Sequence, residues 1–142
     1  MKPNILLLQS CDLGDHLACY PGNSARTPNI DWLAAEGMVF EQHFAASSTC
    51  STSQGAMLSG LMPHRNGLVA PASNDRWQAD SETPILPQIL QEAGYTTACF
   101  GAWHIDAGFQ ERGIEEGNRD SRCDRAAANA TRYLQSYLRK QS

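Results

Sequence analysis

Three short stretches carry residue types able to do hydrolytic or metal chemistry: Ser10-Cys11-Asp12, Cys50 within a run of small residues, and Trp103-His104. A thiolate is a nucleophile and a soft metal ligand, an imidazole exchanges protons near neutral pH, and a carboxylate suits a hard cation. Each residue singly also has an ordinary reading. A free cysteine is commonly a small buried hydrophobe, an aspartate after a strand a turn residue, and a lone histidine a structural group. The stretches gain weight from their place, because each comes after a segment whose pattern predicts a strand.

The apolar run Asn4 to Gln9 predicts a strand covered on both faces, and it ends at Ser10-Cys11-Asp12. Thr27-Pro28 supplies a helix start, Ile30, Leu33 and Ala34 share a face, and Gly37 supplies the stop. Met38 to Phe44 predicts a second strand, leading through the small residues Ala45 to Ser53 and past Cys50 to a short helix over Gly55 to Leu58, closed by Gly60. Pro63 to Pro84 reads as a long surface connection; Arg76 and Trp77 in it would border a substrate pocket in a longer enzyme, while the ordinary reading of such a stretch is a plain exposed loop. Pro87 to Ala93 predicts a helix stopped by Gly94, and Thr96 to Gly101 a third strand that leads to Trp103-His104. Gly108 to Asn118 reads as a polar connection, and Gly117 to Asp120 as a solvated loop that caps the final helix, Cys123 to Arg139. Strands alternating with helices predict an α/β fold, mainly a parallel sheet with flanking helices, whose ligands bind at the carboxyl ends of the strands.

Composition narrows the partners. The 142 residues are 42% hydrophobic and 18% charged, with eleven Lys and Arg against fifteen Asp and Glu, a net charge of −4. A chain of that length hides roughly 70% of its unfolded surface, so one domain over residues 1–142 is expected without disulfide or structural metal. No stretch concentrates positive charge, which argues against nucleic acid. Ile5 to Leu8 is too short for a bilayer span or a signal peptide, so the expectation is a cytoplasmic chain with no membrane partner, or a piece of a protein whose targeting signal lies elsewhere. The five cysteines, Cys11, Cys19, Cys50, Cys99 and Cys123, form no C-x-x-C pair and no even disulfide framework.

The order and spacing of several motifs strongly resemble the sulfatase family. They are Lys2 to Leu8 with Asp12-Leu13-Gly14 after it, then Thr27-Pro28-Asn29-Ile30-Asp31 with Leu33-Ala34 and Glu36-Gly37, the segment around Cys50 with Ser59-Gly60 and Pro63 to Leu68, and Glu92 to Thr97 leading to Phe100-Gly101-Ala102-Trp103-His104. The resemblance covers residues 2 to 104. It implies part of an alkaline-phosphatase-like fold, the N-terminal segment of a catalytic domain that hydrolyses sulfate esters or sulfamates at a divalent metal, calcium in type. It also implies that Cys50 is the precursor of a hydrated formylglycine nucleophile, that Asp12 is a metal ligand, and that His104 donates a hydrogen bond to a sulfated small molecule or sugar.

The sequence departs from the family pattern at four positions. Thr52 and Gln54 stand where the family's C-x-P-x-R signature has proline and arginine, and Gln54 is a neutral amide that cannot replace a guanidinium. Cys11 stands in place of one aspartate of a metal-binding pair, and Ala102 in place of the lysine of Lys-x-His. Two readings are open. One is a sulfuric ester hydrolase segment; the other is a truncated, non-catalytic remnant or accessory module that self-associates or pairs with another chain through an incomplete sheet. A third, a soft zinc or redox site from Cys11, Cys50 and His104, rests on residue type alone.

Overall fold

A computed structural model of the chain describes residues 2–71, 79–105 and 108–141. Along it run helix α1 (Pro28–Glu36), α2 (Cys50–Ser59), α3 (Pro63–Asn66), α4 (Leu86–Glu92), strands β1 (Ala98–Phe100) and β2 (Glu116–Asn118), and helix α5 (Cys123–Gln141). The chain divides into two units, one up to Phe44 and one from Ala45 on.

In the first unit α1 forms where Thr27-Pro28 predicts it. Pro28 takes the first helical position, where its missing N–H is no loss, and the Thr27 hydroxyl donates to Asp31 at 2.8 Å while accepting from the Ala18 N–H at 3.1 Å. The two strands predicted here do not form. Residues 4–9 and 38–44 have no strand structure, and their side chains are exposed, Leu8 to 75% and Phe44 to 83%. The physical reason is that a strand is stabilised only by a neighbour that completes its backbone ladder and by a layer that covers its faces.

The second unit holds the core, built from Leu58, Leu68, Ile85, Trp103, Ile105, Phe109 and Ile114. Trp103 and Phe109 meet edge to face, with ring centroids 5.4 Å apart at 87°. Helix α2 begins at Cys50, five residues ahead of the expected Gly55, and ends in a left-handed Gly60 whose N–H donates to the Ala56 carbonyl at 2.9 Å. Its inward face is made of small residues, Ser51, Thr52, Gly55 and Ala56, and of Leu58. A Cβ at Gly55 would stand 2.9 Å from Leu68 Cδ2 and 3.4 Å from Ile105 Cγ2, so glycine is what lets the helix lie this close to the core.

The expected surface connection Pro63 to Pro84 is in part a structural centre. It opens with α3, and Asn66 is buried: its Oδ1 accepts from the Leu68 N–H at 3.0 Å, and its Nδ2 donates to Ser59 Oγ and the Leu61 carbonyl at 3.2 and 3.3 Å. Arg76 and Trp77 lie outside the described residues. Helix α4 runs from Leu86 with Gln88 Oε1 accepting the Ile85 N–H at 3.0 Å. Strand β1 is the predicted third strand, shortened to three residues.

Its partner β2 lies in the segment expected to be a polar connection, and the two pair in parallel with Cys99 opposite Gly117. The pairing leaves no room for a side chain at 117, where a Cβ would fall 1.8 Å from the Cys99 carbonyl oxygen. Thus Gly117 and Asn118 are strand rather than loop, while Asp120 does act at the start of α5. It accepts from the Arg122 N–H at 3.1 Å and pairs with Arg125 at 3.4 Å. Helix α5 packs on β1 through Tyr133 against Phe100, ring centroids 5.4 Å apart. The observed class is α/β with a two-stranded parallel sheet among the described residues. No helix among them is long and apolar enough to cross a membrane.

Candidate functional site

Cys50 is the first residue of α2 and is half-buried. The turn before it is held by its own hydroxyls. Thr52 is buried, with its Oγ1 2.6 Å from Ser47 Oγ and 2.9 Å from the Thr49 carbonyl, and the Ser53 N–H closes the first helical bond to that same carbonyl at 2.9 Å. Thr52 is therefore a local staple of the helix start. A proline there would keep the backbone, since this position in the first turn needs no N–H, but would remove the hydroxyl from the network.

Gln54 lies one turn further along α2 and reaches the segment that leaves β1. The His104 N–H donates to Gln54 Oε1 at 2.9 Å, and Gln54 Nε2 donates to the Ala102 carbonyl at 3.4 Å. The segment alternates: Trp103 is 6% exposed and Ile105 fully buried, while His104 between them is exposed. Two inward anchors and a clamped backbone thus present the imidazole outward, on a segment tied to the helix that begins at Cys50. Ala102 is half-buried, and its methyl group supplies no cation.

Cys11 and Asp12 stand in the first unit, both exposed, with Asp12 in the left-handed region at φ 54°, a conformation that aspartate tolerates. A hard divalent cation takes about six to eight oxygen ligands. Among the described residues no group of three or more His, Cys, Asp or Glu is arranged to hold a metal ion, so by themselves they do not complete such a site, whether for calcium or zinc. Of the other thiols, Cys99 lies in β1, and burial pushes it above the ordinary thiol value, which favours the inert protonated form.

Sequence reasoning read Gln54 only as a lost arginine and missed the clamp. It also missed Arg112, a buried guanidinium that donates to the Ser81, Thr83 and Asp80 carbonyls at 3.1, 3.3 and 3.2 Å and fastens the turn ahead of α4. An open cleft of about 380 Å³ lies between residues 108–111 and 117–119 and is lined by neither Cys50 nor His104.

Comparison with known proteins gives one consistent answer. The family model described as Sulfatase matches residues 3–141. Human arylsulfatase H is 38% identical over 131 residues, 86% of this chain and 22% of that protein. The N-acetylgalactosamine-6-sulfatase of Canis lupus familiaris is 39% identical over 116 residues, 72% of this chain and 22% of that protein. The crystal structure of Ps i-CgsB superposes with a TM-score of 0.58 at 28% identity, over 66% of this chain and 23% of that one. The chain spans about a fifth of the length of the curated relatives it matches.

Proposed function

The chain belongs to the sulfatase family, and we propose that it is a segment of a sulfuric ester hydrolase catalytic domain, with Cys50 at the nucleophile position and His104 as donor to a sulfate oxygen. The observation that carries this reading is the Gln54 link, which ties an outward imidazole to the helix that starts at Cys50. An imidazole N–H aimed at an anionic oxygen stabilises charge on the group being transferred. The names of the relatives, an arylsulfatase and an N-acetylgalactosamine-6-sulfatase, favour a sulfated small molecule or sugar as substrate. The family works with a divalent metal. We take it to be calcium, with Asp12 as one ligand beside Cys11, and the remaining donors must come from outside the described residues.

The test is mass spectrometry of the Cys50 peptide after the chain is expressed with a formylglycine-generating enzyme under dioxygen, which oxidises the Cys50 side-chain carbon to an aldehyde while the sulfur leaves as sulfide. The hydrolase reading expects that mass loss and, in a chain that carries the remaining metal donors, turnover of an aryl sulfate with Ca²⁺ that Cys50→Ala abolishes. An unmodified thiol with no turnover overturns it.

A second reading has its own observation. Ile5, Leu6, Leu7, Leu8, Phe40 and Phe44 are all more than half exposed, a large amount of apolar side chain left open to water in the first unit. We propose that, if Cys50 is not converted, the chain acts as a non-catalytic module that self-associates or pairs with another chain by covering these side chains. Light scattering then reads an assembly larger than one chain, and a monomer with a cooperative melt overturns that reading.

A further inference from the structure

We propose that Gln54 is the positioning residue of this site, fixing the backbone on either side of Trp103 so that His104 stands at a set place relative to Cys50. The inference rests on the reading of His104 as the site's imidazole, and it adds a role for a position that residue type alone marks as a loss. Hydrogen-bond valence supports it. Within the segment from Ala102 to His104, one carbonyl and one N–H face α2, so the side chain that meets them must offer a donor and an acceptor together. A glutamine amide offers both, an arginine or lysine offers donors only, and an ionised glutamate offers acceptors only. Gln54 meets the His104 N–H through Oε1 at 2.9 Å and the Ala102 carbonyl through Nε2 at 3.4 Å.

The neighbouring residues show that the fit is built on both sides. Gly55 lets α2 close on Ile105, whose Cγ2 would be 3.4 Å from a Cβ at that position. Trp103 and Ile105 hold their side chains in the core, and the segment has no room to rotate without moving one of them. The amide clamp therefore governs the one residue in the segment whose side chain is free to meet a ligand.

Hydrogen exchange of the His104 amide in the full chain tests this independently of turnover. In Gln54→Leu the His104 amide exchanges up to about tenfold faster, the effect of one lost hydrogen bond, while the buried Leu68 amide is unchanged. Gln54→Arg offers donors only, so it loses the acceptor for the His104 N–H and speeds its exchange as leucine does, whereas Gln54→Glu, ionised above pH about 4.3, keeps an acceptor for that N–H and retains its protection. The readout that a merely structural bond would not move is the order parameter of the His104 ring, which falls in the leucine and arginine variants and is kept in the glutamate variant. Should the leucine variant fail to fold, the arginine variant decides alone. A His104 ring equally ordered in the parent, leucine and arginine chains overturns the proposal. An intact clamp with an unmodified Cys50 and no turnover overturns only the hydrolase reading.

Discussion

Among the described residues up to Phe44 none is buried, whereas from Ala45 on a core closes around Leu68, Ile85 and Ile105, each at most 1% exposed. The contrast is not one of composition, since the first unit has the stronger apolar run, Ile5 to Leu8. It lies in where the partners of each apolar residue are found. In the second unit α2, α3, α4 and the segment after β1 bring their own partners within about fifty residues, and small residues on α2 let them approach. In the first unit the helix α1 is held by its own cap and proline, yet its Trp32 and Leu33 face outward, 64% and 52% exposed. Local signals suffice to make a helix, and they do not suffice to make a strand.

The sharpest way to break this contrast is to remove the same side chain from each unit. Leu68→Ala empties a fully enclosed site and is expected to lower the stability of the chain by about 2–5 kcal/mol in urea unfolding. Leu8→Ala is expected to change it by no more than about 0.5 kcal/mol, as for a side chain without packed neighbours. Equal losses would show that the run from Ile5 to Leu8 is covered.

The same division explains what was legible in the residues. Helices α1, α4 and α5 were readable because proline at the start, glycine after the end and apolar spacing are all local, and the structure places each within a few residues of its expected bounds. Strand β2 was not, because Glu116-Gly117-Asn118 has no apolar side chain and is a strand only through pairing with β1. The runs at 4–9 and 38–44 misled for the converse reason: pattern describes the strand but not its neighbour. Cys50 and His104 stood out as residue types. The role of Gln54 could not, since its partners lie 48 and 50 residues away and its chemistry is that of a backbone clamp. Its only local signal was spacing, one helical turn beyond Cys50.

Polar groups sharpen the comparison at a smaller scale. Asn66 satisfies the Leu68 N–H and two further groups in a buried place, so Asn66→Ala leaves those groups without their partner and is expected to cost about 1–3 kcal/mol. Asn66→Asp keeps the acceptor for the Leu68 N–H but buries a carboxylate against the Leu61 carbonyl, so at neutral pH its loss should be at least as large as that of Asn66→Ala. Thr27→Val removes the corresponding side-chain bonds of the first unit, to the Ala18 N–H and Asp31, where water is at hand to replace them, and about 1 kcal/mol or less is expected. Denaturant midpoints at neutral pH place both Asn66 variants below Thr27→Val, and a larger loss at Thr27 than at Asn66 would invert the comparison.

The smallest effect concerns two thiols, Cys11 exposed in the first unit and Cys99 half-buried in β1 of the second. Burial raises Cys99 above its ordinary value of 9.0, so the folded chain holds that proton at a pH where the unfolded chain has released it. The stability tied to Cys99 is therefore full below the ordinary thiol value and is lost as pH rises through the raised one. Tyr133, raised by burial and then by the negative charge of Glu116, acts in the same direction, so the thiol is isolated only by difference. Cys99→Val should show a shallower alkaline loss of stability than the parent, with Tyr133 common to both. Thiol labelling gives the kinetic counterpart: Cys11 should react with a maleimide well before Cys99 at neutral pH, because the reagent needs an accessible thiolate and burial withholds both the access and the charge. Equal rates at the two positions would mean that β1 opens as freely as the exposed chain before α1, and the contrast between the units would then be one of packing without stability.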